Sequence, residues 1–535
     1  MLYSEKYFRF TLIVLITLIA FLSFYKLGSF TLFDVDEAVF AQATKEMVVN
    51  NDWITPTYNG ENRYDKPILF YWMMAISYKI FGINEFGARF VSAFSGIILC
   101  IVLFFFSRKF SDTKLGIYSS LSMALSPFYF VYSHAAVTDM TLTLFITLSL
   151  FSFFLSLKIN FRYIYGFYFF SALAFLTKGL IGILFPFGIA LIYLLLSGQY
   201  KRIKTIFIFS GLLVFVVVAL PWYIIEYKIN GYEFIEQFFI KHHFKRYADV
   251  ISGHKGEFYY YILVMVLGLF PWITFLPGSL TGIAKYIKEY FEFKNTNRKD
   301  DHDVKIFAVI WFLFILLFFT FSTTKLPNYI LPAVPAACLL IGYGIRNENI
   351  TLKKYINLTG GIISLVLAIA CFFLKEYVEN LISENTSWMI ITGLFLFFYS
   401  LLSFFSYING KTRFEIKALL IFLLVLFVLI KALPLFNQHI QGMLYKFSIY
   451  ARENLKNNEK IILYNTSNPS IVFYSGMKVI HETRLKGLDY LQNKYGCIYV
   501  IAKTRSVKNL LNSGYTMIEK DNNYAIFKKG CDGNI

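Results

Sequence analysis

The sequence predicts a polytopic α-helical membrane protein of about 13 transmembrane helices with a small C-terminal α/β domain. Three observations predict it. Hydrophobic residues fill 57% of the 535 positions and charged residues only 16%, against about a quarter charged in soluble domains. Nearly uncharged stretches of about 20 residues, each long enough to cross a bilayer, recur over most of the chain. From residue 436 onward the pattern changes to short runs rich in Ile, Val and Tyr. A cytosolic enzyme, a disordered or collagen-like chain and a disulfide-rich secreted scaffold are excluded.

Net charge is +18, from 51 Lys and Arg against 33 Asp and Glu. The basic residues sit mainly in short loops between apolar stretches. That is the positive-inside pattern, not a nucleic-acid patch, so membrane lipids and not nucleic acid are the expected surroundings.

The first apolar stretch, Thr11 to about Tyr25, follows Lys6 and Arg9. No small-residue cleavage site follows it and further spans do, so it reads as a signal anchor with its N-terminus inside. Further spans lie near 86–106, 115–132, 138–157, 163–177, 179–197, 204–224, 258–280, 305–322, 329–345, 355–374, 387–407 and 416–434. Thirteen spans place the C-terminus outside. The inside loops then hold Arg108, Lys109 and Lys114, Lys201, Arg202 and Lys204, and the run from Lys285 to Lys305. Arg346, Lys353 and Lys354 follow on the same side, then Lys411, Arg413 and Lys417. The short outside connections near 133–137, 322–328 and 375–386 hold only Lys325 and Lys375.

Two outside loops, about 25–85 and 225–257, are longer than a connection requires, and loops of that length are commonly functional. Within the first, Glu37 to Val49 carries a helical stripe of Val39, Phe40, Ala43, Met47 and Val48. Pro67 to Phe81 is apolar but short. Both read as helices lying on the outer membrane surface.

The chain divides into a membrane part, 1–435, and a tail, 436–535. Lys460–Tyr464, Cys497–Ala502 and Tyr524–Lys528 read as strands, Asp489–Tyr495 and Ser506–Asn512 as helices, and Ser470–Tyr474 fits either. About 100 residues suffice for one small domain. Cys497 and Cys531 can pair if the tail faces an oxidising compartment, whereas Cys100, Cys338 and Cys371 lie in apolar spans as inert thiols.

Polar groups cluster on the outer side. Phe33-Asp34-Val35-Asp36-Glu37 sets three carboxylates ahead of a helix, either to bind a cation or act as a base, or to cap, with Asp34 and Glu37 spaced as a capping box. Tyr64-Asp65-Lys66-Pro67 places Lys66 either as a snorkelling lysine or, at a helix start, as part of a phosphate site. Lys241-His242-His243-Phe244-Lys245-Arg246 suits an anionic head group better than a metal, because adjacent histidines do not share a helix face. Asp139, at the mouth of the fourth span, is either a functional acid or a helix cap. Lys325 and Tyr329 also fall outside. No Gly-rich nucleotide loop, Ser-His-Asp order or CxxC occurs, so nucleotide-driven chemistry has no site.

In order along the chain stand Asp36-Glu37, Trp53-x-x-Pro56-x-x-Asn59-Gly60, Tyr64-x-Lys66-Pro67-x-Leu69-x-Tyr71-Trp72 and Phe81-Gly82-x-Asn84-Glu85-x-x-x-Arg89. Thr138-Asp139-Met140, Leu176-Thr177-Lys178-Gly179 and Lys325-Leu326-Pro327-x-Tyr329-x-Leu331-Pro332 follow. Together these resemble the polyprenyl-phosphate-dependent GT-C glycosyltransferases, in particular the aminoarabinose–lipid A transferases, with the protein O-mannosyltransferases further off. The tail segment Pro469-Ser470-x-Val472-Phe473-Tyr474-x-Gly476 resembles the periplasmic domain of the same branch.

The resemblance implies a GT-C fold in the bacterial inner membrane. It also implies transfer of a sugar from a polyprenyl (undecaprenyl) phosphate donor to lipid A, another envelope glycan or a secreted protein, at the periplasmic face. Asp36, with Glu37 beside it, matches the family's catalytic acid, and Asp139 its second acid. Lys66, after Tyr64, matches the residue holding the donor phosphate. Tyr329, with Lys325, matches the wall of the phosphate pocket, and Arg246 a phosphate-binding arginine. Ala38-Val39 replaces a common Arg-Tyr, and Asp65 a common Glu. These departures leave open the sugar and a divalent metal, for which Asp65 and His243 are the candidate ligands. A transporter or flippase of a lipid-linked molecule would concentrate charge near the membrane midplane, whereas here the polar groups sit in the outer loops.

On this topology a reporter fused at Ile535 is expected outside and one within 285–300 inside. Cleavage of the 285–300 loop by protease added to intact spheroplasts would rule it out.

Overall fold

A computed structural model describes residues 2–238, 256–280, 300–347, 349–382, 386–456 and 459–531. Ten helices make up the first half: α1 (Leu2–Phe24), α2 (Asp36–Asn50), α3 (Leu69–Phe81), α4 (Glu85–Phe110), α5 (Thr113–Ala124), α6 (Pro127–Ser133), α7 (Asp139–Lys158), α8 (Tyr163–Lys178), α9 (Ile181–Leu196) and α10 (Phe209–Ile235). Their starts follow local chemistry. Asn84 caps α4 by accepting the Gly87 N–H at 2.8 Å, and Asp112 caps α5 through the Leu115 N–H at 2.8 Å.

Each expected span lies on a helix or helix pair. Among the described residues, eight helices are long and apolar enough to cross a membrane, or up to nine counting one bent pair. The stretch 115–132 is broken because Ser126 caps a new helix and Pro127 occupies its first turn. The stretch 258–280 bends by 107° between Tyr260–Gly268 and Trp272–Leu280, where Pro271 removes a helical N–H. Helices α8 and α9 have 16 residues each, about 24 Å at 1.5 Å per residue, short of a hydrocarbon core of about 30 Å. Neighbouring spans are joined by small polar side chains: Ser95 and Thr141 at 3.0 Å, Ser149 and Ser171 at 2.8 Å.

The outer loops differ from their expected layout. Helix α2 does not lie on the membrane surface by one face: Glu37 through Thr44 and Met47 are all buried. Helix α3 covers one side and the helix Pro469–Ser475 the other. Its polar positions serve the layers above. Lys45 Nζ donates to the Phe473 carbonyl at 2.7 Å, and Glu46 holds a hairpin, β1 (Thr57–Tyr58) and β2 (Glu61–Asn62), through Thr57 Oγ1 and the Asn59 N–H. Helix α3 begins at Leu69 rather than Pro67. It buries Phe70, Tyr71 and Met74 while exposing Ile76 and Ile80, apolar on both sides and 13 residues long, as an interfacial helix requires.

The last span runs as one continuous helix, Phe414–Asn454, so the join expected at 435 falls inside a helix rather than a linker. Beyond it β3 (Lys460–Tyr464), β4 (Val479–Glu482), β5 (Ile498–Lys503), β6 (Thr516–Lys520) and β7 (Tyr524–Lys529) form one sheet in the order β4-β3-β5-β7-β6. Strands β4, β3 and β5 are parallel, and β7 is antiparallel to both β5 and β6. Alternation along β3 sends Ile461 and Leu463 to the face under the helix Leu433–Asn454. It sends Ile462 and Tyr464 to the face under Leu485–Tyr495 and Val507–Asn512. Ser470–Tyr474 lies in a helix. The edge strands β4 and β6 were not anticipated, being short and largely polar. Cys497, just before β5, is disulfide-bonded to Cys531, just after β7.

The turn between α1 and α2 is gathered on one side chain. Arg89, fully buried in α4, uses all five N–H donors. Nε and one NH2 proton bind Glu37 at 2.7 and 2.9 Å, and the remaining protons reach the carbonyls of Leu27, Phe30 and Thr31 at 2.8–3.0 Å. Glu37 also accepts the Phe33 N–H at 2.8 Å and the Ala136 N–H at 2.9 Å. Removing one partner leaves a buried charge, so Arg89→Ala is expected to cost about 3–5 kcal/mol. Thermal unfolding in detergent should show a lowered midpoint, and an unchanged one would mean the pair is dispensable.

Candidate active site

Asp36 is the first residue of α2, exposed, with no hydrogen bond or ion pair among the described residues. Its charge acts on Arg63, Tyr71 and Tyr132. Asp139, the first residue of α7, is buried and forms an ion pair with Lys178, the last residue of α8. Thr138, not Asp139, holds the N-cap position of α7, and the Asp139 carboxylate is turned to Lys178. Asp139 also acts on the Tyr132 hydroxyl. The two acids, about a hundred residues apart in sequence, thus both act on Tyr132. The Lys178 ammonium lies 5.5 Å from the ring centre of half-buried Tyr329, which brings Tyr329 to the same place.

On the other flank of Asp36, Arg63 is ion-paired with Asp65, donates from Nε to the Tyr71 hydroxyl at 3.1 Å and stacks over Phe40. Burial pushes the Tyr71 hydroxyl up to about 12, so it stays protonated. Lys66 is half-buried and donates to the Asp65 carbonyl at 3.0 Å. Tyr64 is buried, accepts from Asn62 Nδ2 at 2.8 Å, and has its pKa raised by burial. A cleft of about 280 Å³ opens here, lined by Arg63, Tyr64, Asp65, Asn62, Glu61 and Glu233 among others.

Three expectations are corrected by the geometry. Glu37 accepts twice from Arg89 and once each from the Phe33 and Ala136 N–H groups, so its carboxylate holds the loop. Lys325 is buried, and its ammonium donates to the carbonyls of Phe319, Thr320 and Ser322 at 3.3, 2.7 and 2.8 Å. It closes the C-terminal end of the span Asp300–Thr320 and has no proton left for a phosphate; burial lowers its pKa. Asp34 does not cap α2. Its carboxylate reaches instead to Ser470 and Asn468 of the tail, and burial raises its pKa against the pull of those bonds.

Asp65 is tied to Arg63. Among the described residues no group of three or more His, Cys, Asp or Glu is arranged to hold a metal. Arg246 and His243, with Lys241 and His242, lie outside the described residues. Two residues were not singled out for a role from the sequence. Arg63 stands next to the Tyr64-x-Lys66 motif, and Lys178 lies inside a quoted motif, but only the folded chain pairs them with Asp65 and Asp139.

Residues 65–225 match the family model of dolichyl-phosphate-mannose-protein mannosyltransferases. An uncharacterized protein of Aquifex aeolicus is 30% identical over 371 residues, 69% of this chain and 70% of that one. An undecaprenyl phosphate-alpha-4-amino-4-deoxy-L-arabinose arabinosyl transferase of Yersinia pestis is 29% identical over 352 residues, covering 64% of this chain and 60% of the relative. The crystal structure of ArnT from Cupriavidus metallidurans bound to undecaprenyl phosphate shares the fold, with a TM-score of 0.78 over 97% of each chain at 18% identity.

Lys325 and Lys66 separate by stability. Lys325→Ala strands three carbonyls and is expected to cost about 1–3 kcal/mol. Lys66→Ala, at a half-buried position, should stay within about 1 kcal/mol of the parent. Equal melting shifts in detergent for the two variants would contradict this division.

Proposed function

Because the chain belongs to the polyprenyl-phosphate-dependent GT-C glycosyltransferases, in the branch of the aminoarabinose transferases, we propose that it moves a sugar from undecaprenyl phosphate to lipid A or another envelope acceptor. The reaction takes place at the periplasmic face of the bacterial inner membrane. In this reading residues 1–435 are the transferase body and 436–535 a periplasmic domain, which the Cys497–Cys531 bond suits, since disulfides persist in oxidising compartments.

The observation that carries the proposal is the setting of Asp36. It is an exposed carboxylate with no hydrogen bond or ion pair among the described residues; its charge acts on Arg63 and on Tyr132, and Asp139, which also acts on Tyr132, is paired with Lys178. The acceptor oxygen attacks the anomeric carbon as that carbon's bond to the phosphate oxygen breaks, and the polyprenyl phosphate leaves with the electron pair. That leaving group carries its charge from the start, so it needs cations rather than a proton. Lys66 supplies one, with Arg246 as its partner. The Asp139–Lys178 pair, with the Lys178 ammonium over Tyr329, is assigned to the same site. A lipid A phosphate is ionised near neutral pH, its second pKa being about 6, and needs orientation more than a base. Direct displacement inverts the anomeric centre. No step is assigned to a metal.

Mass spectrometry of lipid A and envelope proteins tests this reading in cells carrying the parent chain, Asp36→Asn or Lys66→Ala. A glycan on the lipid A or envelope-glycan pool is expected with the parent and lost in both variants. A glycan confined to proteins would overturn the lipid acceptor and point to the related protein O-glycosyl transfer. Undiminished lipid modification in Lys66→Ala would remove it from donor binding.

A further inference from the structure

Residues Thr31–Glu37 carry the approach to the site, and they are gripped from two sides. The membrane body holds Phe33 and Glu37 through the Arg89 cluster. The tail holds the other three pinned residues. Asn437, in the helix Leu433–Asn454, makes three hydrogen bonds to Thr31, at 3.1, 2.8 and 3.0 Å. The Tyr474 hydroxyl accepts the Leu32 N–H at 2.8 Å and donates to Glu85 at 2.8 Å. Asp34 takes three donors from the start of the helix Pro469–Ser475: the Ser470 N–H at 2.8 Å, the Ser470 hydroxyl at 2.8 Å and Asn468 Nδ2 at 3.1 Å. The side chains of Val35 and Asp36 make no hydrogen bond or ion pair among the described residues, and both are exposed.

We infer that the C-terminal domain completes the active site by setting the position of Asp36 through Asp34, with Ser470 and Asn468 as positioning residues. Asp34 and Asp36 are separated by one residue, at most about 7 Å of chain, so a shift of the first carries the second with it. Adhesion of the two parts already has Asn437, Tyr474 and Lys45 to sustain it. The triple contact to a single carboxylate next to Asp36 adds a fixed point beside the reacting atoms. Through it the membrane-facing chemistry depends on two residues, Asn468 and Ser470, that lie C-terminal to the last span.

The inference rests on the role given to Asp36 above, so the test carries both. Full-length protein in nanodiscs, supplied with an undecaprenyl-phosphate-linked sugar and lipid A, is assayed as the parent, Asp36→Asn, Ser470→Ala/Asn468→Ala and Ser470→Thr. The double variant is expected to lose about 10–100-fold in kcat, the scale of a misplacement near 1 Å, with the donor KM within about twofold. Its melting midpoint should match the parent, and Ser470→Thr, which keeps the hydroxyl, should stay within about threefold of parental kcat. Parental kcat in the double variant, or a loss that tracks unfolding, overturns the inference. If the double variant does not fold, Asn468→Ala alone is read by the same criteria. Full activity in Asp36→Asn would instead overturn the role of Asp36, whatever Ser470 does.

Discussion

The Arg89–Glu37 pair is the constraint on which the outer face depends. One guanidinium with five donors collects the end of α1, the turn after it and the start of α2, and Glu37 adds the Ala136 N–H from the link between α6 and α7. Asp139 stands three residues after Ala136. The same knot that fixes where α2 begins therefore fixes how far its first residue, Asp36, stands from the second acid. A buried pair of this kind gains little over an apolar replacement of equal shape, but it is costly to break in half. Its value lies in the single geometry that satisfies all its donors and acceptors.

Around this knot the charged groups of the outer face fall into two kinds. Glu37 is occupied by Arg89 and two backbone N–H groups, Lys325 by three carbonyls, and Glu46 by Gln42, Thr57 and backbone N–H groups; they close helix ends, turns and the hairpin. Asp36 has no hydrogen bond or ion pair among the described residues, and Asp139 and Lys178 are paired with one another. An exposed carboxylate among paired neighbours stands out. That contrast, more than the number of charged residues, separates the groups proposed to react from the scaffold.

The tail follows the same logic at larger scale. Its two-faced sheet buries apolar residues on both sides and sets a short helix against α2 and the turn before it. The last span continues into Leu433–Asn454, and residues of that helix and of the tail beyond it reach Thr31, Leu32 and Asp34.

Much of this is legible in the sequence, because it depends on local composition and period. Apolar stretches place the spans, the alternation in Lys460–Tyr464 and Tyr524–Lys528 places the central strands, and the order of the motifs identifies the family. Span integrity was less legible: Ser126-Pro127 and Pro271 break stretches whose hydropathy is continuous, because hydropathy is blind to capping and to a missing N–H. What only the tertiary structure decided is which polar residue answers which. Glu37 and Asp36 are adjacent carboxylates with the same local propensities, and they part only because Arg89, some fifty positions on, reaches one of them. Lys325 and Lys66 look alike as outer lysines until helix-end carbonyls surround one. Asp34 reads as a helix cap beside Glu37, yet its donors come from Ser470 and Asn468 across the fold. Pairings at such separations leave no periodic trace, since they depend on where folding brings distant segments together.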